Sequence, residues 1–355
     1  VINSNMFNYN PNLQEIKLSN NLLTGAIPSL GFQYDQNGIR VFDVSFNSLS
    51  GSLPITIAIH NRLETFKVNN NILTGTLSSI FFNFAYLITF DISYNQFNNT
   101  AIDSTTKLLQ TLDDVIGFNQ NSGSFYSNLK TFKINNNYFQ GPLPDQIRHM
   151  YNLIELNVGN NDFGSTIPST WTSLTDLTSL DLSHNSIHGA VPPFLIANNN
   201  ALTKIAINNN LFTGDIPTVF GTPHSGLINS LTYLDLSNNK FTGNMMVLGS
   251  SIGVLTKLTL LHIGHQDFTA NSASFATDVS WLGAHFGGSL VDLDIADTGL
   301  YGIFPSAIAL LASNLVKLDV SENNIGGAIP TEVGGWDSMT HLNFSSNAFT
   351  GLIPS

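Results

Sequence analysis

Leu231 to Asn244 reads LTYLDLSNNKFTGN, and the chain restates that phrase thirteen times. As a pattern it is L-x-x-L-x-L-x-x-N-x-L/F-x-G-x-I/L-P. Copies begin at Leu13, Ile39, Leu63, Leu87, Leu129, Leu153, Leu177, Leu202, Leu231, Leu258, Leu290, Leu315 and Met339. Their intervals are 26, 24, 24, 42, 24, 24, 25, 29, 27, 32, 25 and 24 residues. A unit this short cannot bury its own apolar face, so it must stack on its neighbour. The 355 residues would otherwise suggest two or three globular domains. The repeat replaces that with one solenoid over 1–355, irregular at 1–12.

Each position of the phrase has a physical task. Leu234 and Leu236 alternate with Tyr233, Asp235 and Ser237, the period of two of a short strand with one buried face. Stacked copies make a parallel sheet with strands about 4.8 Å apart. Asn239 follows where the backbone must turn away, and Asn21, Asn47, Asn71, Asn95, Asn137, Asn161, Asn185, Asn210, Asn323 and Asn347 hold the same slot. A buried amide there answers turn groups that cost roughly 1–3 kcal/mol each when orphaned, so a ladder of amides is expected. An apolar residue, often Phe, then fills the interior, and glycine supplies permissive backbone. Ile-Pro, as at Ile27-Pro28, Ile167-Pro168, Ile216-Pro217 and Ile329-Pro330, fixes an extended path at the outer edge. The fold class is therefore an α/β solenoid. It is expected as a right-handed superhelix or horseshoe, with a parallel β-sheet on the concave face and 3-10 or short helical turns on the convex face.

The stretches LSNNLLTGAIPS, LSHNSIHGAVPP and VSENNIGGAIPTEVGGW resemble the plant-type leucine-rich repeat, with its L-x-G-x-I-P signature. The resemblance spans Leu13 to Ser355. Such repeats occur in ectodomains of plant receptor-like kinases and receptor-like proteins, in polygalacturonase-inhibiting proteins, and in algal and other protist proteins. The resemblance implies a ligand-binding array. Members usually carry paired cysteines in terminal caps, and this chain has none.

Charge narrows the partners. Twelve Lys+Arg stand against 24 Asp+Glu, a net charge of −12. Phosphate binding needs clustered Lys and Arg, so nucleic acid is excluded, and an anionic membrane surface is disfavoured. No apolar run approaches the roughly 18–20 residues of a membrane span. The start, VINSNMFNYNPN, has neither the basic residues nor the apolar stretch of a secretory leader. With no cysteine, thiol catalysis and cysteine-ligated zinc are ruled out, and the array takes its stability from stacking. Sequons at Asn98-Asn99-Thr100 and Asn343-Phe344-Ser345 are candidate N-glycosylation sites. GLIPS at 351–355 stops half-way through a copy, and INSNMF at 2–7 reads as the tail of another. The expectation is a piece of a longer chain, or ends capped by neighbouring domains or subunits.

Departures from the phrase carry what is particular to this chain. Two are insertions, 103–128 and 269–289, which offer Phe125, Tyr126, Trp281 and His285 as loop contacts. A tolerated surface insertion is the plainer reading of both. The third is a concentration of His and Asp on the concave face: Tyr233, Asp235, His262, His265, Asp292, Asp294 and Asp297, with Lys317 beside them. Neighbouring strands are expected to set Asp235, His262 and Asp294 in a row, an imidazole between two carboxylates. That makes a pH-sensitive or cation-attracting patch. Two of these units also replace the ladder asparagine, with Gln266 and Thr298. His and Asp are metal ligands, but solvated polar side chains on an open sheet are the commoner outcome, and no metal is assigned.

No H-E-x-x-H, G-x-S-x-G or G-x-x-x-x-G-K occurs, and no cofactor motif is read. The reading is a non-catalytic interaction scaffold, binding a protein, peptide or glycan on its concave face and loops, outside the cell or at its surface. The alternative is a structural surface coat, or a surface ordering ice or glycan by its regular file of Ser, Asn and Thr. Lysines such as Lys17, Lys67 and Lys133, with the aspartates, interrupt the neighbouring file.

Overall fold

A computed structural model describes residues 2, 10, 12–29, 38–59, 62–82, 84–99, 112–117, 128–197, 199, 201–216, 226–243, 252–253, 255–266, 279, 282, 288–311 and 314–354. The chain divides into two compact units, Val1–Leu177 and Thr178–Ser355. Each is a stack of similar coils.

In the first unit six described strands pair in parallel and in chain order: Glu15–Lys17, Val41–Asp43, Thr65–Lys67, Thr89–Asp91, Thr131–Lys133 and Glu155–Asn157. In the second there are seven: Ser179–Asp181, Lys204–Ala206, Tyr233–Asp235, Leu260–His262, Asp292–Asp294, Lys317–Asp319 and His341–Asn343. Every one begins two residues after a copy of the phrase. The middle residue of each points inward. In the first unit Phe42, Phe66, Phe90 and Phe132 are fully buried and stack ring on ring, with centroids 5.9, 5.6 and 5.6 Å apart. Such offset pairs add to the gain from burial. In the second unit Leu180, Ile205, Leu234, Leu261, Leu293 and Leu318 fill the same place.

The amide ladder forms as expected. Asn71 Oδ1 accepts Leu49 N–H of the preceding coil at 2.9 Å. Its Nδ2 is 3.0 Å from Val68 O in its own turn and 3.1 Å from Val44 O one coil back. Asn47, Asn95, Asn137, Asn161 and Asn210 make equivalent sets. Gln266 copies the arrangement: its Oε1 accepts Phe241 N–H at 3.1 Å and its Nε2 reaches Ile263 O at 2.7 Å. Thr298 is too short for the task. Its hydroxyl lies 2.8 Å from Ile295 O, and Asn323 Oδ1 lies 3.1 Å from Thr298 N and 3.0 Å from Leu300 N.

The residue before the ladder position has positive φ in all thirteen coils, between 49° and 57°. Asn fills this slot at 20, 70, 136, 160, 209 and 238 because its short amide tolerates the left-handed region. The N-N doublet therefore divides the labour: the first Asn bends the chain and the second ties the bend to the previous coil.

Beyond the bend the chain pairs again, which the sequence reading did not foresee. Thr24–Ala26, Ser48–Gly51, Ile72–Thr76 and Gln96–Asn98 form a second parallel sheet in the first unit. His188–Gly189, Leu211–Asp215 and Lys240–Thr242, and likewise Tyr301–Ile303, Asn324–Ala328 and Ala348–Thr350, do so in the second. The return path runs through short 3-10 turns such as Ile55–Ile59, Asp145–His149 and Thr331–Gly335. Pro144 (φ −64°) and Pro330 (φ −60°) precede the last two, their ring-fixed φ starting the turn.

Insertion 103–128 contributes a described α-helix, Leu112–Gly117, packed against the turns Ser79–Phe82 and Asp145–His149. Leu112 and Ile116 are buried, and Asp113 Oδ1 accepts Gln146 N–H at 2.9 Å. This helix does for its long coil what a 3-10 turn does for the others. Phe125, Tyr126, Trp281 and His285 lie outside the described residues.

Candidate functional site

The file of strand aspartates is largely internal to the coil, not a display of free charge. Asp235 Oδ1 accepts both Ser237 N–H, at 3.1 Å, and the Ser237 hydroxyl, at 2.7 Å. Asp43–Ser45, Asp91–Ser93, Asp181–Ser183 and Asp319–Ser321 repeat this clasp with hydroxyl distances of 2.6 Å. Ser45, Ser93, Ser237 and Ser321 are buried, and so are Asn69 and Asn135 in the same file. At those positions the bend folds the side chains back over the strand end. His265 (φ 57°) and Asp297 (φ 49°) occupy the left-handed slot of the bend, beyond the strands that carry His262, Asp292 and Asp294. The run of copies with Asn in that slot carried the signal.

The strand register sets Asp235, His262 and Asp294 in a row, as expected. The imidazole chooses a different partner. His262 Nε2 lies 2.9 Å from Asp292 Oδ1, while its Nδ1 is 3.9 Å from Asp235 Oδ2. Asp292 and Asp294 alternate on the same face of their strand, and a diagonal across neighbouring strands lies within reach of a long side chain. One oxygen of Asp235, Oδ1, is already taken by its serine clasp. The second oxygen of Asp292 takes Lys317 Nζ at 3.2 Å. Asp292 is thus the hub of a cluster spanning three strands. The cluster lines an open depression of about 650 Å³, bounded also by Asp294, Asp319, Thr340, His341 and Asn343.

Tyr233 borders the cluster without joining it. Burial, then the nearby Asp235 and Asp181 carboxylates, push its hydroxyl up to about 12, so it stays protonated and donates to Asp235. Lys204 lies 5.4 Å from the Tyr233 ring centre and pairs with Asp181 at 2.8 Å. At the sequons, Asn98 ends a strand of the second sheet and bridges to Tyr138. Asn343 is committed: its Oδ1 accepts from Ser345 and its Nδ2 donates to Asp319 Oδ2 at 2.9 Å. A glycan on that nitrogen would replace one of its two N–H donors, which are directed at Asp319 Oδ2 and Ser321 Oγ.

A second depression, of about 600 Å³, opens along the strand edge of the first unit. Glu64, Tyr86, Ile88, Lys130, Ile154 and Asp176 line it. The sequence reading missed it, because these residues flank the strands where the phrase leaves the residue type open.

A family model described as Leucine rich repeat matches residues 127–187, and a second one matches 12–32, 230–251 and 314–336. A stretch of 67 residues is 31% identical to Receptor-like protein kinase 7 of Arabidopsis thaliana, covering 19% of this chain and 7% of that one. Among solved structures, the chain is similar to the plant peptide hormone receptor RGFR1 in complex with RGF2, with TM-score 0.75 and 25% identity over 99% of this chain and 54% of that one. It is also similar to the LRR ectodomain of the receptor kinase GASSHO1/SCHENGEN3 from Arabidopsis thaliana, with TM-score 0.74 and 23% identity over 97% and 40% of the two chains. Leucine-rich repeats thus match in four segments of the chain, and its fold is similar to those of plant receptor ectodomains. The chain spans about half the length of the solved ectodomains it matches.

Within this repeat protein, one clasp is incomplete beside the Asp292 hub. Asp294 Oδ1 accepts Ala296 N–H at 3.0 Å, but alanine brings no hydroxyl. The preceding coil holds Gly264 at the same position. A Cβ there would stand 2.6 Å from Asp294 Oδ1 and 2.9 Å from Ala296 O, so only glycine leaves room for the carboxylate. Burial raises the Asp294 carboxyl, opposed by the bond from Ala296 and by His262 and His265. Two adjacent coils thus lack a polar side chain at this position, and Gly264 and Ala296 are both buried.

Proposed function

We propose that this leucine-rich repeat protein is a non-catalytic binding scaffold, outside the cell or at its surface. In this reading a peptide or protein segment lies on the solvent-facing side of the strands of the second unit, across Leu260–His262, Asp292–Asp294, Lys317–Asp319 and His341–Asn343. The observation that carries it is the convergence of His262 and Lys317 on Asp292 above an open depression. Most strand aspartates are held by a residue of their own coil, whereas the described partners of Asp292, His262 and Lys317, come from the coils on either side. A polar cluster held by neighbouring strands needs no rearrangement to receive a ligand, which lowers the ordering cost of binding. The complex of the similar receptor RGFR1 with RGF2 supports a peptide as the ligand class.

The test is selection of a displayed random peptide library on the immobilised protein, beside variants Asp292→Lys and Lys317→Glu. Enriched peptides are expected to lose at least tenfold in affinity on either variant while thermal stability is held. Selection that enriches nothing, or peptides that bind both variants as tightly as the parent, would sink the assignment.

A further inference from the structure

Two residues of the first unit pay a backbone cost with no gain inside the coil. Phe46 and Tyr94 occupy the left-handed slot, each with φ 52°, where Asn stands in the intervening coil at Asn70. A bulky residue is unfavourable in that region, and Asn is the ordinary solution. Neither aromatic recovers the cost by burial: Phe46 is 49% exposed and Tyr94 52%. Strain held at an exposed side chain points to a task outside the coil. Tyr138, 64% exposed, and Ile72, 49% exposed, lie two positions further along their own bends. Four successive coils thus each expose one large apolar side chain at or just beyond the bend.

The bends that carry these side chains have no charged residue of their own, and the carboxylates nearest Phe46 and Tyr94 in sequence, Asp43 and Asp91, are tied to Ser45 and Ser93. Across the bends 18–26, 44–52, 68–76, 92–99 and 134–141 there is no Asp, Glu, Lys, Arg or His, in a chain of net charge −12. Corresponding bends in the second unit carry His184, Asp215, Lys240, His265, Asp297 and Glu322. The polar groups beside the aromatics are amides and hydroxyls, among them Asn70, Asn136, Gln96 and Ser48. Flat aromatic faces and neutral groups that both donate and accept fit a ligand with apolar C–H faces and many hydroxyls. A cationic, anionic or purely apolar partner uses neither set fully. Backbone pairing through Asn69 and Ser93 stacks the three coils directly, so Phe46 and Tyr94 stand two coils apart. At about 4.8 Å per strand that is roughly 9–10 Å, on the order of two sugar rings in an extended chain. Alternate rings of an equatorially linked glycan with a two-fold repeat turn the same face one way.

We infer that the rim of the first unit formed by Phe46, Tyr94 and Tyr138 is a docking site for an extended, neutral, equatorially linked polysaccharide, distinct from the Asp292 depression. The test uses the full chain produced without N-glycans, titrated calorimetrically with β-1,4-linked hexasaccharides of glucose, mannose and xylose. At least one is expected to bind, and the double variant Phe46→Asn, Tyr94→Asn to weaken it tenfold or more. Because Asn suits φ 52°, that variant should melt no lower than the parent, which separates lost contact from lost fold. Asp292→Lys should leave saccharide binding unchanged, keeping this result independent of the peptide site. Failure of all three saccharides to bind, or unchanged affinity in the double variant, overturns the inference. So does a parent dimer, seen by sedimentation, that the double variant abolishes without any saccharide binding.

Discussion

At the scale of single residues, Asp294 shows how a coil leaves a carboxylate half-answered. Desolvation favours its neutral form, and Ala296 supplies one donor where serine would supply two. Because its folded pKa is raised, it binds its proton more tightly in the native state than in the unfolded chain. It therefore weakens stability once the pH rises above the unfolded carboxyl value, fully so above the folded one, and costs nothing in more acidic solution. Asn is a ready substitute: Asn157 and Asn343 hold the same place in other coils and accept N–H groups at 3.0 and 3.1 Å. Asp294→Asn should raise the melting temperature at pH 7, with the gain shrinking toward zero below pH 4. Thermal scans across that range decide it, and a gain that persists in acid would contradict the burial account.

At the scale of the repeated element, the ladder is the tie between coils. Asn71 is buried and answers one N–H and several carbonyls in two coils. Asn71→Ala orphans the Leu49 N–H and should cost roughly 2–4 kcal/mol, at about 1–3 kcal/mol per stranded group. Asn71→Gln should cost less than half as much, because Gln266 already makes the same contacts from a longer side chain. Urea unfolding of the two variants gives the comparison. Equal losses would mean that Gln266 relies on local adjustments that the middle of the first unit lacks.

For the molecule as a whole, stability in each unit passes from coil to coil. Among the described residues the His341–Asn343 strand pairs on one side, and its inward residue Leu342 is 42% exposed, whereas Leu234 in Tyr233–Asp235 is fully buried. Amides of the outer strand should exchange with solvent at least a hundredfold faster than those of Tyr233–Asp235. Native-state hydrogen exchange read by mass spectrometry tests this, and equal protection would show the unit opening as a block. The coil period, the strand positions, the inward residues and the asparagine ladder were all legible in the amino-acid order. Each is set inside one 24-residue unit, where a bend must be tied and one face must be apolar whatever the neighbours are. The second sheet beyond the bend, the partner chosen by His262 and the exposure of Phe46 and Tyr94 were not legible. Those depend on side chains 24 to 48 residues away in sequence, brought alongside only by stacking. Sequence alone thus determined that coils form and what holds them. Tertiary structure decided which polar groups the stack consumes and which it leaves facing water, because that balance is struck between coils.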